Sequence, residues 1–179
     1  MKGIVFTVFL DMVETKYGYE TVDELVSNPA LQSEGIYTAV GTYSHKELVI
    51  MASELALKID EPVTNVVRSF GKHLFGAFLK SYPHFFEHSE SAFDFLESIN
   101  DYIHVEVKKL YPEAELPSFL TERPEKNTLL MRYSSVRGMS ALAEGLIEST
   151  LNHYKTPGSI QVTEAYQGTT DTLFTIKVQ

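Results

Sequence analysis

The chain has no cysteine among its 179 residues. It therefore cannot form a disulfide, use a thiolate nucleophile, or hold zinc or an iron–sulfur cluster through sulfur. The lack of disulfides is compatible with the reducing interior of a cell. We expect a cytoplasmic protein.

Positive charge and long apolar runs are also scarce. Fifteen Lys and Arg residues face 24 Asp and Glu residues, which gives a net charge of −9 and no basic run. Such a surface repels nucleic acid and anionic lipid, so we expect neither as a partner.

The apolar start of the chain resembles a signal peptide, but Asp11 and Glu14 interrupt it and no cleavage site follows. No apolar stretch approaches the length that spans a bilayer, so we expect no membrane association.

Helical periodicity is present through residues 1–112, and a hydrophobic content of 44% is ample for a packed core. Thr21 is predicted to open a capping box, Ser44 is predicted to cap the next helix, and Pro62 is tolerated in the first turn of the one after. The predicted helices run over residues 3–16, 21–27, 44–59, 61–81 and 91–110.

The pattern changes after Pro112, where proline recurs and segments that favour β-structure follow. Strands are predicted at 118–121, 129–133, 160–166 and 172–178, and a helix at 138–154. The turn at 167–171 predicts that the last two strands form a hairpin. The sequence thus predicts an α+β fold in one domain, with an N-terminal helical lobe (1–112) followed by a small antiparallel sheet with one helix (113–179).

A row of polar side chains follows the apolar run that ends at Met131. In an extended strand alternate side chains share a face, so Tyr133, Ser135 and Arg137 would point the same way. A guanidinium grips an oxyanion with two hydrogen bonds, and two hydroxyls can complete its shell. The row is suited to a carboxylate or phosphate, although a solvated strand edge would look the same.

Among six histidines, His104 stands beside the apolar stripe of its predicted helix, between Ile103 and Val105. A histidine in such a place is usually a hydrogen-bonded core residue. Together with an anion-binding row it also fits iron porphyrin, which requires an axial nitrogen for the metal and donors for its propionates.

On these residues the sequence resembles the haem-nitric oxide/oxygen binding (H-NOX) family, in its bacterial stand-alone form, which is related to the haem domain of soluble guanylate cyclase. The marks are the Tyr-x-Ser-x-Arg motif (Tyr133, Ser135 and Arg137), the upstream His104, and Pro117. The resemblance implies that His104 is the proximal iron ligand, that the motif binds the propionates of haem b (iron protoporphyrin IX), and that Pro117 presses on the macrocycle, with the haem between the lobes. The cysteine-bound zinc of some members is absent here.

The same resemblance implies an apolar distal wall. Bound dioxygen carries partial negative charge and needs a hydrogen-bond donor, which oxygen-binding members supply as a tyrosine five residues beyond the motif arginine; here that position is Leu142. Nitric oxide binds ferrous haem tightly without a donor, so the wall predicts selectivity for NO. Its predicted members are Val5, Phe9, Leu74, Phe78, Leu142 and Leu146.

We therefore expect a haem-based NO sensor, also able to bind CO, and not an enzyme. The resemblance implies that NO weakens the bond to His104, so that its helix shifts and the haem relaxes against Pro117. Because 179 residues leave no room for a catalytic domain, another protein must read the signal. The resemblance suggests a histidine kinase or a cyclic-di-GMP enzyme, and the acidic surface would suit a basic patch on it.

Three alternatives stay open at this point. An oxygen sensor or carrier of the same fold would need a donor such as Tyr43 to reach the pocket. A haem peroxidase would need a distal acid/base, for which His73 is the only outside candidate. In a metal-free helical binding module, His104 would be structural and the protein colourless.

Overall fold

The computed structural model describes residues 1–179 as seven α-helices and one four-stranded sheet. The helices are α1 (Gly3–Tyr17), α2 (Tyr19–Val26), α3 (His45–Lys58), α4 (Val63–Ser81), α5 (Ala92–Ser98), α6 (His104–Leu110) and α7 (Ser140–His153). The strands are β1 (Ser118–Glu125), β2 (Thr128–Ser134), β3 (Gly158–Thr163) and β4 (Thr172–Val178). The α+β class predicted from the sequence is confirmed. No helix combines the length and the apolar character needed to cross a membrane.

The helices of the N-terminal half pack around aromatic side chains that are fully buried. Phe9 of α1 meets Phe70 of α4 edge to face, with ring centroids 5.2 Å apart. Ser44 caps α3 as predicted, because its hydroxyl accepts the N–H of Lys46 at 3.3 Å. The capping box predicted at Thr21 is wrong: α2 has already begun at Tyr19, and the Thr21 hydroxyl donates to the Tyr17 carbonyl.

The helix predicted over 91–110 contains a change of winding. Between α5 and α6 lies a π-helical turn, Ile99–Ile103, which we call the π segment. Its last bond is donated by the N–H of His104 to the carbonyl of Ile99, five residues back. Periodicity could not reveal this insertion, since the sequence there holds neither glycine nor proline. Such turns are often found at functional sites.

The sheet is antiparallel throughout, in the order β1-β2-β4-β3. The first strand is longer than predicted, because it continues through Pro124 to Glu125. Proline is tolerated there since β1 is an edge strand that pairs only with β2. A two-residue turn, Lys126-Asn127, joins the two strands, a hairpin that the sequence pattern did not indicate.

The predicted hairpin of β3 and β4 is confirmed by their antiparallel pairing. Its first strand ends at Thr163 rather than at Tyr166. Ala165 and Gln167 adopt positive φ angles of 51° and 52°, which no strand accommodates, and a short 3₁₀ turn follows instead.

The two halves of the chain meet most extensively where α4 packs on α7. Gly71 and Gly145 lie at this crossing, and the absence of side chains lets the two backbones approach closely. Beside them Arg68 pairs with Glu148, whose other carboxylate oxygen lies 2.7 Å from Lys72 Nζ.

Candidate functional site

A cavity of about 730 Å³ lies where α1, α4, the π segment, α6, α7 and the first two strands meet. Of the 37 residues that line it, 27 are hydrophobic. Its size is that of a small-molecule or cofactor site, and its walls favour a large apolar ligand. The polar exceptions on these walls therefore decide what the cavity can bind.

His104 is one of these exceptions. It is the first residue of α6, and its ring centroid lies 5.8 Å from that of Phe119. Burial, reinforced by the charge of Lys108, lowers the pKa of His104 to about 4, although a hydrogen bond to the Pro117 backbone acts in the opposite direction. The imidazole is consequently neutral at pH 7 and has a lone pair available for a metal. Pro117 lines the cavity as well.

The prediction that Tyr133, Ser135 and Arg137 share one face of a strand is wrong. Tyr133 belongs to β2, but the strand ends at Ser134, so Ser135 and Arg137 lie in the turn that leads to α7. Gly138, with a φ of +60°, completes this turn. The N–H of Arg137 donates to the Ser135 hydroxyl at 3.2 Å, a bond that folds the turn back on itself.

Two of the three motif side chains reach the cavity. Tyr133 is buried on the cavity wall, and its hydroxyl accepts the N–H of Met139 at 3.3 Å. The side chain of Arg137 is only 9% exposed and also lines the cavity. Its Nη1 donates to the carbonyl of Glu115 at 2.7 Å and its Nη2 to the carboxylate at 2.8 Å. Ser135 does not line the cavity.

Five of the six residues predicted for the distal side are on the cavity wall, contributed by α1, α4 and α7. They are Val5, Leu74, Phe78, Leu142 and Leu146. The structure does not bring Phe9 to this wall. It is fully buried in the helical core, where its ring packs against Phe70.

Hydroxyl groups near this wall are engaged elsewhere. The Tyr43 hydroxyl accepts the N–H of Thr38 at 2.8 Å and contacts the Thr38 hydroxyl at 3.3 Å. Thr150 donates to the carbonyl of Leu146 in its own helix. Tyr82 is hydrogen-bonded to the side chain of Tyr111, which together with burial raises the pKa of Tyr82 to about 12.

His73, the candidate for a peroxidase-type acid/base, lies outside the cavity. Its Nε2 is 2.8 Å from a carboxylate oxygen of Asp11. The His73 side chain therefore points towards α1 and away from the apolar wall.

Several polar residues on the cavity wall were not predicted from the sequence, and two of them lie near Arg137. His45, which the sequence pattern did not single out, lines the cavity, as does Glu115, the partner of Arg137. His45 follows the cap of α3 and Glu115 lies in an irregular segment. No local pattern could have shown either one, because only the packing of distant segments brings them to the cavity.

The residues present fit haem by their chemistry. The cavity combines an apolar interior for a macrocycle, a neutral imidazole for iron, and a buried guanidinium with a phenol for a carboxylate. The fold and site thus define a haem-binding class of protein.

Comparison with known proteins agrees with this class. The Haem-NO-binding family model matches residues 2–162. The Fe(II) unliganded H-NOX protein of K. algicida is 36% identical, with a TM-score of 0.93 over 100% of this chain and 97% of that one. The H-NOX of Shewanella woodyi, solved with IWP-051 in the Fe(II)CO state, is 40% identical, with a TM-score of 0.84 over 99% and 94%.

The H-NOX protein of S. oneidensis in the Fe(II)NO state is 29% identical, with a TM-score of 0.93 over 100% of this chain and 99% of that one. A comparison with curated proteins gave no match. The family model and the structural relatives show that this chain belongs to the H-NOX family, whose members are haem-based gas sensors.

Proposed function

We propose that this protein binds haem b, senses nitric oxide at the ferrous iron, and passes the signal to a separate protein. His104 is the iron ligand in this proposal, and Tyr133, Ser135 and Arg137 hold the propionates, Ser135 by shaping the turn. Pro117 contacts the macrocycle. The division into a helical lobe (1–112) and an α/β lobe (113–179) of one domain belongs to the same proposal.

Selectivity for NO is supported by one observation: the wall formed by Val5, Leu74, Phe78, Leu142 and Leu146 carries no hydrogen-bond donor. The Tyr43 hydroxyl, which could have served an oxygen binder, is bonded to Thr38 instead. Bound dioxygen would carry a partial negative charge, and an apolar wall offers no hydrogen-bond donor to stabilise this charge. The binding of NO or CO does not need such a donor, and both gases are proposed ligands.

Ferrous haem, when bound, would supply an iron that binds NO, and NO would weaken the bond from this iron to His104. The chain's own contribution to signalling is the segment that holds this histidine. The residues of the π segment and of α6 are at most partly buried, and Ile99, Tyr102, Ile103 and Val107 hold the stretch against an aromatic cluster of the core. A bond from His104 to iron would add a further tether to this stretch, and its loss would favour a shift of α6 relative to Pro117.

We further propose that the signal is read by a histidine kinase or a cyclic-di-GMP enzyme, and that the chain itself is not an enzyme and acts in the cytoplasm. The net charge of −9 suits a partner with a basic surface. No pair of acid and base groups for catalysis lines the apolar wall.

The test is an absorption spectrum of the purified, dithionite-reduced protein, taken without ligand, under air and with NO. We expect a haem Soret band that is unchanged by oxygen. With NO, the band should move to the wavelength typical of five-coordinate nitrosyl haem, in which the iron has lost its histidine ligand. A stable complex with oxygen would overturn the NO selectivity. A colourless protein that cannot be reconstituted with haem would overturn the proposed function.

A further inference from the structure

His45 is one of the few polar residues on the cavity wall, which it shares with the motif arginine, Arg137. It is the first residue of α3, and its side chain is half-buried on the cavity wall. Burial, and then the positive charge of Arg137, lower the pKa of His45, while Glu115 acts in the opposite direction. The imidazole therefore shares one electrostatic environment with the Arg137–Glu115 pair.

Two other polar side chains on the cavity wall, those of Lys2 and Ser44, already have partners. Lys2 Nζ donates to the Val40 carbonyl at 3.1 Å and contacts the Thr42 hydroxyl at 3.2 Å. The Ser44 hydroxyl is used by the cap of α3. No hydrogen bond contributes to the shifted pKa of His45. Its imidazole N–H is thus a donor on the cavity wall without a protein acceptor.

The proposed ligand needs more than the motif provides. Haem b carries two carboxylates, whereas the motif holds one guanidinium, and both of its terminal nitrogens are bonded to Glu115. A neutral imidazole that donates one N–H suits a carboxylate, because the charged acceptor strengthens the bond. We propose that His45 is a second anchor, which donates to the haem carboxylate that Arg137 does not hold.

This proposal rests on the proposed haem site and adds a consequence for the fold. His45 belongs to α3 in the helical half of the chain, and Arg137 to the turn between β2 and α7. Residues from different halves of the chain would then hold the two carboxylates of one haem, so that the edge of the porphyrin links the two halves. A porphyrin with masked carboxylates would lose this link.

The test measures the rate at which the ferric holoprotein transfers haem to an excess of apomyoglobin. For His45→Ala we expect transfer about tenfold faster than for the wild type, the effect of one hydrogen bond to a charged group. His45→Gln keeps an N–H donor and should transfer haem at close to the wild-type rate. His88→Gln, at an exposed histidine outside the cavity, is the matched control and should leave the rate unchanged.

Reconstitution with the dimethyl ester of haem separates anchoring from a structural role. With both carboxylates masked, wild type and His45→Ala should lose the ester at equal rates. Equal loss of ordinary haem from the two proteins would overturn the anchor while leaving haem binding intact, and so would a His45→Ala effect that persists with the ester. A wild-type protein that takes up no haem would overturn the proposed function and the anchor together.

Discussion

Gly71 of α4 and Gly145 of α7 face each other with no side chain between them. A Cβ atom placed on either glycine would lie 3.1 Å from the Cα of the other, and one on Gly145 would also clash with the carbonyl of Arg68. The Arg68–Glu148 ion pair lies beside this contact. The packing of the helical half on the helix of the sheet half is therefore set by direct backbone contact.

The first prediction concerns this crossing. Gly145→Ala should lower the free energy of unfolding by about 1–3 kcal/mol, because the added methyl group forces two packed helices apart. Gly76→Ala is the matched control on α4: a Cβ there meets open space, and stability should rise by about 0.5–1 kcal/mol. Urea unfolding of the two variants measures both effects. A Gly145→Ala protein as stable as the wild type would contradict the close approach.

The second prediction concerns His104. His104→Gly should abolish the native ferrous haem spectrum, because it removes the proposed iron ligand. Added imidazole should restore the spectrum. His73→Gln, outside the cavity, should leave the spectrum unchanged. An absorption titration with imidazole provides the measurement. If the reduced His104→Gly protein has an unaltered spectrum without imidazole, His104 is not the ligand.

The helical half was predictable because its periodic apolar residues and simple start signals, such as Ser44, act locally. The candidate cavity was predictable in part for another reason: His104, Tyr133 and Arg137 could be connected through a family motif. Phe9 shows where that approach ends. A residue on the correct helix was assigned to the wall, yet the rotation of α1 against Phe70 places it in the core.

The turn after β2 and the π segment could not be predicted from the sequence, for physical reasons. An alternating pattern cannot tell a strand from a strand followed by a turn, and Ser135 and Arg137 lie beyond the strand's end. The π segment arises from one inserted residue in an otherwise helical stretch, and its bond from His104 to Ile99 leaves no compositional mark. Both features depend on tertiary packing.

The third prediction concerns the pH dependence of stability. Hydrogen bonds from Ser134 and Arg132 hold the pKa of Asp171 below its ordinary value of 3.8, and Arg132 Nε lies 2.6 Å from its carboxylate. A lowered folded-state pKa means that the stabilisation is complete above the unfolded-state pKa and is lost as pH falls through the folded-state value. Asp171→Asn should therefore destabilise the protein at pH 7, and the difference from wild type should shrink below pH 4.

Urea unfolding between pH 3 and pH 7 measures this difference. Asp23→Asn, at an exposed position on α2, is the control and should follow the wild type throughout. A gap between wild type and Asp171→Asn that stays constant over the whole range would show that the charge of Asp171 does not contribute.

The fourth prediction concerns selectivity between gases and rests on Leu142. Leu142→Tyr should give the reduced protein measurable oxygen affinity, because its hydroxyl places a donor on the apolar wall, where a hydrogen bond to a partly charged acceptor contributes about 1 kcal/mol or more. Leu142→Phe is the matched control, since it adds the same ring without the hydroxyl. Oxygen titrations followed by absorption compare the two. Oxygen affinity in the tyrosine variant alone would assign the effect to hydrogen bonding, whereas equal affinity in both would assign it to a change in packing.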